Sequence, residues 1–468
     1  MVGNINTNFN QFNYAATSRV ATSPIRNNAI ACDESIKPTP DFNISPTFGN
    51  NSNNNVTPVR TKLSGRDEIN KYTYLLSKID KAHRKRLEKM LNSGILLNSN
   101  SNDKSTVLDN LYLIATKKRA NGLEKENILK WTIKTLNDPF IITQNFGDIP
   151  RDYKPIAREL FDYGQAVPND RNERPEDINV KYSSTCVAAS LEFKLAKQMP
   201  AEFARYVQCL SSPEMAVTKN LNLHNLADHV MDRIELLNMF ETQVNQMDFN
   251  NANITFSPDK NAILRAIIQT KHHDNGERSP IDVLLQSTFM NLGSQKTYNS
   301  LTDKRGGDFN QEDTGLNEFE KTYDESIIFG ENIISVVYQD TEADKNGNGI
   351  KLAGYRTDFG TVKKQLITAL DRGECVIVGC TRVNKNDYIE GGHEITIVGY
   401  KTDPTGKVYF ICNDTDDNIS VPIMRREDEL IPAIHHAALP KDIAEADYEV
   451  VPSGDETIKK FQERQKRA

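Results

Sequence analysis

The chain has 468 residues, a formal net charge of −7, 38% apolar residues and a mean hydropathy of −0.57. That length predicts two or three domains, and no run of about 18 apolar residues is present to span a bilayer. The six cysteines lack framework spacing, which argues against a disulfide scaffold, and neither Cys-x-x-Cys nor His-Glu-x-x-His is present to mark a zinc site.

Residues 1 to 64 are rich in Asn, Ser, Thr and Pro, with Asn50-Asn51-Ser52-Asn53-Asn54-Asn55 as the extreme. Apolar residues are too sparse there to offset ordering entropy, so a disordered, Asn-rich leader is expected. The start, Met1-Val2-Gly3-Asn4, lacks the basic and apolar regions of a signal peptide. This predicts a cytoplasmic protein, or one exported without a classical signal.

Residues 65 to 145 read as a basic three-helix domain, with helices over Asp67 to Leu91, Val107 to Thr116 and Leu123 to Leu136. From Arg60 to Gln144 there are 17 Lys/Arg against 9 Asp/Glu, a local excess of +8 in an acidic chain. A solvated helix face explains such a charge run; the functional alternatives are docking to an acidic partner, a membrane surface or nucleic acid. No nucleic-acid motif or aromatic interleaving accompanies the charge, so no nucleic-acid partner is expected.

After the turn-rich junction Asn145-Phe146-Gly147-Asp148-Ile149-Pro150, a catalytic domain is placed over 146–440. Its centre is Tyr182-Ser183-Ser184-Thr185-Cys186-Val187-Ala188-Ala189-Ser190-Leu191-Glu192-Phe193. Two serines suit an N-cap and Pro200 stops the run, so Cys186 falls in the first turn of a helix. Free amides and the macrodipole there favour a thiolate. A lone cysteine is otherwise ordinary buried packing.

Further helices are expected over Pro200 to Leu210, Asn225 to Val244, Ala262 to Thr270 and Val283 to Leu292, the last two following Ser257-Pro258 and Ser279-Pro280. His272-His273 reads as a solvated helix end. Thr302 to Gly315 reads as a mobile polar loop, and Ile333 to Tyr338 as a strand. Asp344-Lys345-Asn346-Gly347-Asn348 resembles half of a calcium loop, but Tyr355 stands where the bidentate Glu belongs, so a plain turn is the better reading.

Helix Val362 to Leu370, closed by Gly373, precedes the apolar strand Cys375 to Gly379. Two strands follow, Gly391 to Tyr400 and Lys407 to Asn413, joined through Asp403-Pro404-Thr405-Gly406 as a hairpin. Counting from the turn sets His393 opposite Asn413 or Asp414, with a margin of one or two positions. An imidazole so placed is oriented to act as a base toward a thiol. After Val421-Pro422-Ile423 the chain reads as irregular, and 441–468 as a charged tail.

The ordered set of Thr185-Cys186, the buried strand Cys375 to Gly379, the Gly391-Gly392-His393 strand and the strand end Asn413-Asp414 resembles the papain-like cysteine peptidases. The nearest branch is that of the double-glycine-leader, bacteriocin-processing peptidases. The resemblance implies an α+β fold in which a helical half bearing Cys186 packs on an antiparallel sheet bearing His393. It implies a Cys–His–Asn/Asp triad that cleaves peptide or isopeptide bonds of a protein or peptide substrate without a cofactor. Asn413 corresponds to the third member in papain-type enzymes, Asp414 in the leader-peptidase branch. The family's upstream oxyanion glutamine has no counterpart at its usual spacing, Gln165 being too distant, and Asn179 is the substitute donor. Val187-Ala188 replaces the family's Gly-Pro or Gly-Ser. Two alternatives follow: an acyltransferase or amidase using the same triad, and a catalytically inactive papain-like binding module.

Overall fold

The structure, a computed structural model, describes residues 59–145, 183–226, 232–246, 248–271, 277–306, 315–343, 349–416 and 420–447. The leader up to residue 58, Gln165, Asn179, His272-His273, the 344–348 turn and residues 448–468 of the tail lie outside them.

Four N-terminal helices replace the expected three: α1 (Gly65–Lys78), α2 (Lys81–Asn92), α3 (Val107–Thr116) and α4 (Lys125–Asn137). The first predicted helix is cut at Ile79-Asp80. Asp80 takes an extended backbone and its carboxylate accepts from His83 N at 3.1 Å, so it caps a new helix. Helix α3 opens on a reciprocal Thr106–Asp109 capping box.

Helices α5 (Cys186–Gln198) and α6 (Pro200–Leu210) follow, broken at Met199 by the proline that starts the second. The long helix expected over Asn225 to Val244 does not form. Only the short α7 (Arg233–Met239) appears among the described residues of that stretch, capped by Asp232, and the chain then turns through a left-handed Glu241. Residues of the same stretch instead enter a small antiparallel sheet, β1 (Val217–Leu221), β2 (Gln243–Gln246) and β3 (Ala252–Phe256), in the order β1-β3-β2. Helices α8 (Ala262–Lys271), α9 (Pro280–Gly293) and α10 (Glu318–Phe329) complete this half. The predicted Ser279-Pro280 start of α9 is a full capping box with Asp282.

The main sheet has six strands: β4 (Ile333–Val337), β7 (Val376–Val383), β8 (Ile389–Thr402), β9 (Val408–Asn413), β10 (Ile423–Arg426) and β11 (Ile434–Pro440). It is antiparallel throughout, in the order β10-β9-β8-β7-β11-β4. A separate hairpin pairs β5 (Gln339–Ala343) with β6 (Gly349–Tyr355). Helix α11 (Phe359–Asp371) ends as predicted at Gly373. There φ is +87°, and the amides of Gly373 and Glu374 bond back to Leu370 O and Ala369 O. The stretch read as irregular after residue 423 is in fact ordered. It supplies β10, the helix α12 (Glu427–Ala433), β11 and the helix α13 (Lys441–Ala446).

The chain is therefore α+β, with the main sheet between two helical layers. One apolar cluster runs without a break from Leu75 and Leu111 in the N-terminal helices through Phe193, Tyr206 and Phe289 to Ile328. The other lies across the sheet and joins Val378, Ile397, Leu366, Leu430 and Ile443. In β7, Ile377 belongs to the first cluster and Val376 and Val378 to the second, as a strand buried on both faces requires. Among the described residues no helix is long and apolar enough to cross a membrane.

Candidate active site

Cys186 is the first residue of α5, as its sequence context predicts. The capping differs from expectation: Thr185 is the N-cap and makes no side-chain cap bond. Ser183 and Thr185 instead share a hydroxyl contact of 2.5 Å, and Ser184 N donates to Asp303 Oδ2 at 2.5 Å. The first bond into the helix runs from Ala189 N to Thr185 O. The amides of Cys186, Val187 and Ala188 thus have no intrahelical acceptor and project from the positive end of the helix dipole.

Every residue of α5 except Lys197 is buried. Its two deepest charged side chains are matched individually. Lys194 pairs with Glu325 at 2.7 Å, and Glu192, driven by burial well above the carboxylate range, accepts from Gln286 Nε2 at 2.9 Å. A helix fixed on all sides holds its first residue fixed too.

His393 lies in β8, paired with Cys380 of β7, and is 7% exposed. Its Nε2 is 2.6 Å from Asp414 Oδ1. The Cys186 thiol is its second polar neighbour, and Nδ1 is the ring nitrogen that Asp414 leaves unoccupied. Burial alone would lower the histidine's pKa, but Asp414, then Cys186, outweigh it and push it up to about 10. Burial likewise opposes ionisation of Asp414, yet His393, then Arg425, hold it at about 2. Arg425 Nη2, on β10, reaches Asp414 Oδ2 at 3.1 Å.

Of the two residues offered as the third member, the structure brings Asp414, not Asn413, to His393. The reason is a bulge in β8. Ile397 pairs with Cys412 and Gly399 with Ile411, so Val398 is an extra residue and Asn413 is drawn opposite Thr396. Asn413 is buried, and its Nδ2 has no partner among the described residues. The predicted turn is present, with Asp403 O accepting from Gly406 N and its carboxylate from Thr405 N and Lys407 N.

Three positioning residues escaped the sequence reading. Gln286 of α9 uses its whole amide: Oε1 accepts from Thr185 Oγ1 at 2.9 Å and Arg278 Nη1 at 3.1 Å, and Nε2 donates to Thr143 O and Glu192 Oε2. Thr143 in turn donates through Oγ1 to Thr415 O at 2.9 Å, next to Asp414, and Gln144 N bonds the same carbonyl at 3.0 Å. A continuous polar chain therefore runs from the residue before the cysteine to the residue after the aspartate. Asp303 is the third. The sequence places it in a mobile loop, but it is buried and accepts from Ser184 N and from Tyr298 OH at 2.8 Å. The rest of that predicted loop, residues 307–314, lies outside the described residues.

Four other cysteines lie among the described residues. Burial pushes the thiols of Cys375 to about 11 and Cys380 to about 12, and raises those of Cys209 and Cys412 as well. Among the described residues no group of three or more His, Cys, Asp or Glu is arranged to hold a metal ion. Compared with known proteins, the chain matches no family model and no curated protein.

Proposed function

We propose that the chain is a papain-like thiol hydrolase that cleaves peptide or isopeptide bonds with Cys186, His393 and Asp414. One observation carries this reading: a single buried imidazole is hydrogen-bonded to Asp414 and has the thiol of Cys186, the first residue of a helix, as its other polar neighbour. In the proposed reaction Cys186 Sγ attacks the carbonyl carbon while His393 holds the thiol proton. The C–N bond breaks, His393 delivers that proton to the leaving amine, and a thioester remains on Cys186. The free amides at the start of α5 receive the oxyanion. Water, deprotonated by His393, then attacks the thioester and releases the acid. Asp414 keeps the imidazole in the required tautomer throughout.

The test is site-resolved alkylation by iodoacetamide near neutral pH, read by mass spectrometry in wild type and His393→Ala. Cys186 is expected to react well ahead of Cys209, Cys375, Cys380 and Cys412, and to lose that lead in the variant. Equal rates at all five sites, or a lead that survives without His393, would overturn the assignment.

A further inference from the structure

Helix α10 touches both the helix that bears Cys186 and the strand that bears His393. Lys321 and Glu325 stand one turn apart on it, the spacing at which opposite charges ordinarily pair with each other. Here each reaches a different element instead. Glu325 Oε1 lies 2.7 Å from Lys194 Nζ of α5, the helix that begins with Cys186. Lys321 Nζ lies 3.1 Å from Glu394 Oε2 of β8, in the residue that follows His393. Phe329, one further turn along the same face of α10, has Lys194 Nζ 4.9 Å from its ring centroid. The other oxygen of Glu394 meets His436 Nε2 of β11 at 2.9 Å.

Lys194, Lys321, Glu325 and Glu394 are all buried, none more than 1% exposed. Taking two charges out of water costs about as much as their attraction returns, so a buried ion pair adds little stability over apolar side chains of the same size. What it adds is a fixed distance and direction between two backbones, because a displacement leaves both charges buried and unmatched. Lys194 lies about 12 Å along α5 from Cys186. Glu394 is the neighbour of His393 on a strand, where successive side chains turn to opposite faces. Helix α10 thus holds α5 beyond its midpoint and β8 directly behind the histidine. Attack by a thiol beside an imidazole depends on such control, since a misplacement of about 1 Å can cost about a hundredfold in rate.

We propose that Lys321 and Glu325 are positioning residues for Cys186 and His393, making α10 a strut that sets the spacing between α5 and β8. The chemical consequence rests on the Cys186–His393–Asp414 reading, so the test takes one readout that depends on that reading and one that does not. In the full chain, K194M/E325L removes one ion pair whole rather than stranding one partner, and is expected to keep the wild-type Tm. It is expected to lower the lead of Cys186 over Cys209 and Cys375 in iodoacetamide alkylation by about tenfold or more. Amide hydrogen exchange over residues 189–193 is expected to quicken by about tenfold, with α1 to α4 unchanged. Glu325→Asp keeps the charge and draws the carboxylate back by one methylene. It is expected to move both readouts the same way by a smaller factor. Wild-type exchange over 189–193 in both variants would overturn the strut. So would exchange that quickens throughout the chain together with a lower Tm, the sign of a role in stability alone, or an unchanged lead of Cys186 beside faster exchange. Absence of any lead in the wild type overturns the triad and not the strut, which the exchange then decides.

Discussion

Asp414→Asn keeps the size of the side chain and removes its charge, which isolates what the carboxylate does for His393. The imidazole stands at about 10 against an ordinary 6.5. At ~1.4 kcal/mol per pKa unit, that is roughly 5 kcal/mol in favour of the protonated ring. Asp414 and Cys186 supply it against the cost of burial, and loss of the aspartate's charge-assisted bond should cost about 2–3 kcal/mol. The sign follows from linkage. A histidine whose pKa rises on folding stabilises the fold fully below about 6.5, and that contribution fades as pH climbs through about 10. Urea unfolding at about pH 5.5 should therefore find the variant less stable by about 2–3 kcal/mol, and at about pH 10.5 by under about 1 kcal/mol. Alkylation of Cys186 near neutral pH should slow by about tenfold or more, because the ring is no longer held in the proton-bearing form. A stability loss equal at both pH values, or none at the lower one, would refute the argument.

The cluster behind the site gives three further expectations. Lys321 and Glu394, both fully buried, lie 3.1 Å apart, and His436 Nε2 is 2.9 Å from the other Glu394 oxygen. Lys321→Met should cost about 3–5 kcal/mol by leaving a buried carboxylate without its cation. Burial opposes ionisation of Glu394, but Lys321 and His436 hold its pKa far below the ordinary range. This wild-type contribution is therefore present above the ordinary carboxylate pKa of about 4.5 and is lost as pH falls below it, which a pH series of thermal unfolding would read. Gly379 lies between Glu394 and His436 in register, and an added Cβ would run into the His436 ring. Gly379→Ala should cost about 1–3 kcal/mol or more in wild type but much less beside His436→Ala, so equal costs in the two backgrounds would count against this packing.

What could be seen in the sequence was local. Pro200 fixes where the Cys186 helix stops, Ser279-Pro280 where α9 starts, and Asp403 to Gly406 where the hairpin turns. Each works within four residues of itself. The choice between Asn413 and Asp414 was not local, since it depends on one extra residue, Val398, that leaves no mark in composition or period. Asp303 was hidden because Thr302-Asp303-Lys304-Arg305-Gly306-Gly307 has the polarity of a surface loop, although its carboxylate is buried against Ser184. Strand β11 was missed because it is buried on both faces, so its Ile434-His435-His436-Ala437-Ala438-Leu439 shows no alternation. The α1–α2 break was missed because Ile79-Asp80 interrupts an apolar period that otherwise runs on to Leu91.

Strand β11 also sets the order in which the molecule can be completed. It lies between β7 and β4, and among the described residues β4 has no other strand partner in the sheet. A chain emerging from the ribosome makes β4, β7, β8 and β9 first, and β11 follows only after β10 and α12. Through that interval β7 presents an open edge, the surface on which strands of other chains add. Ile333 waits for Pro440, and closure over so long a loop is slow. A ribosome stalled before residue 434 would thus hold Cys186, His393 and Asp414 already made, on a sheet still free to pair with its neighbour on the polysome.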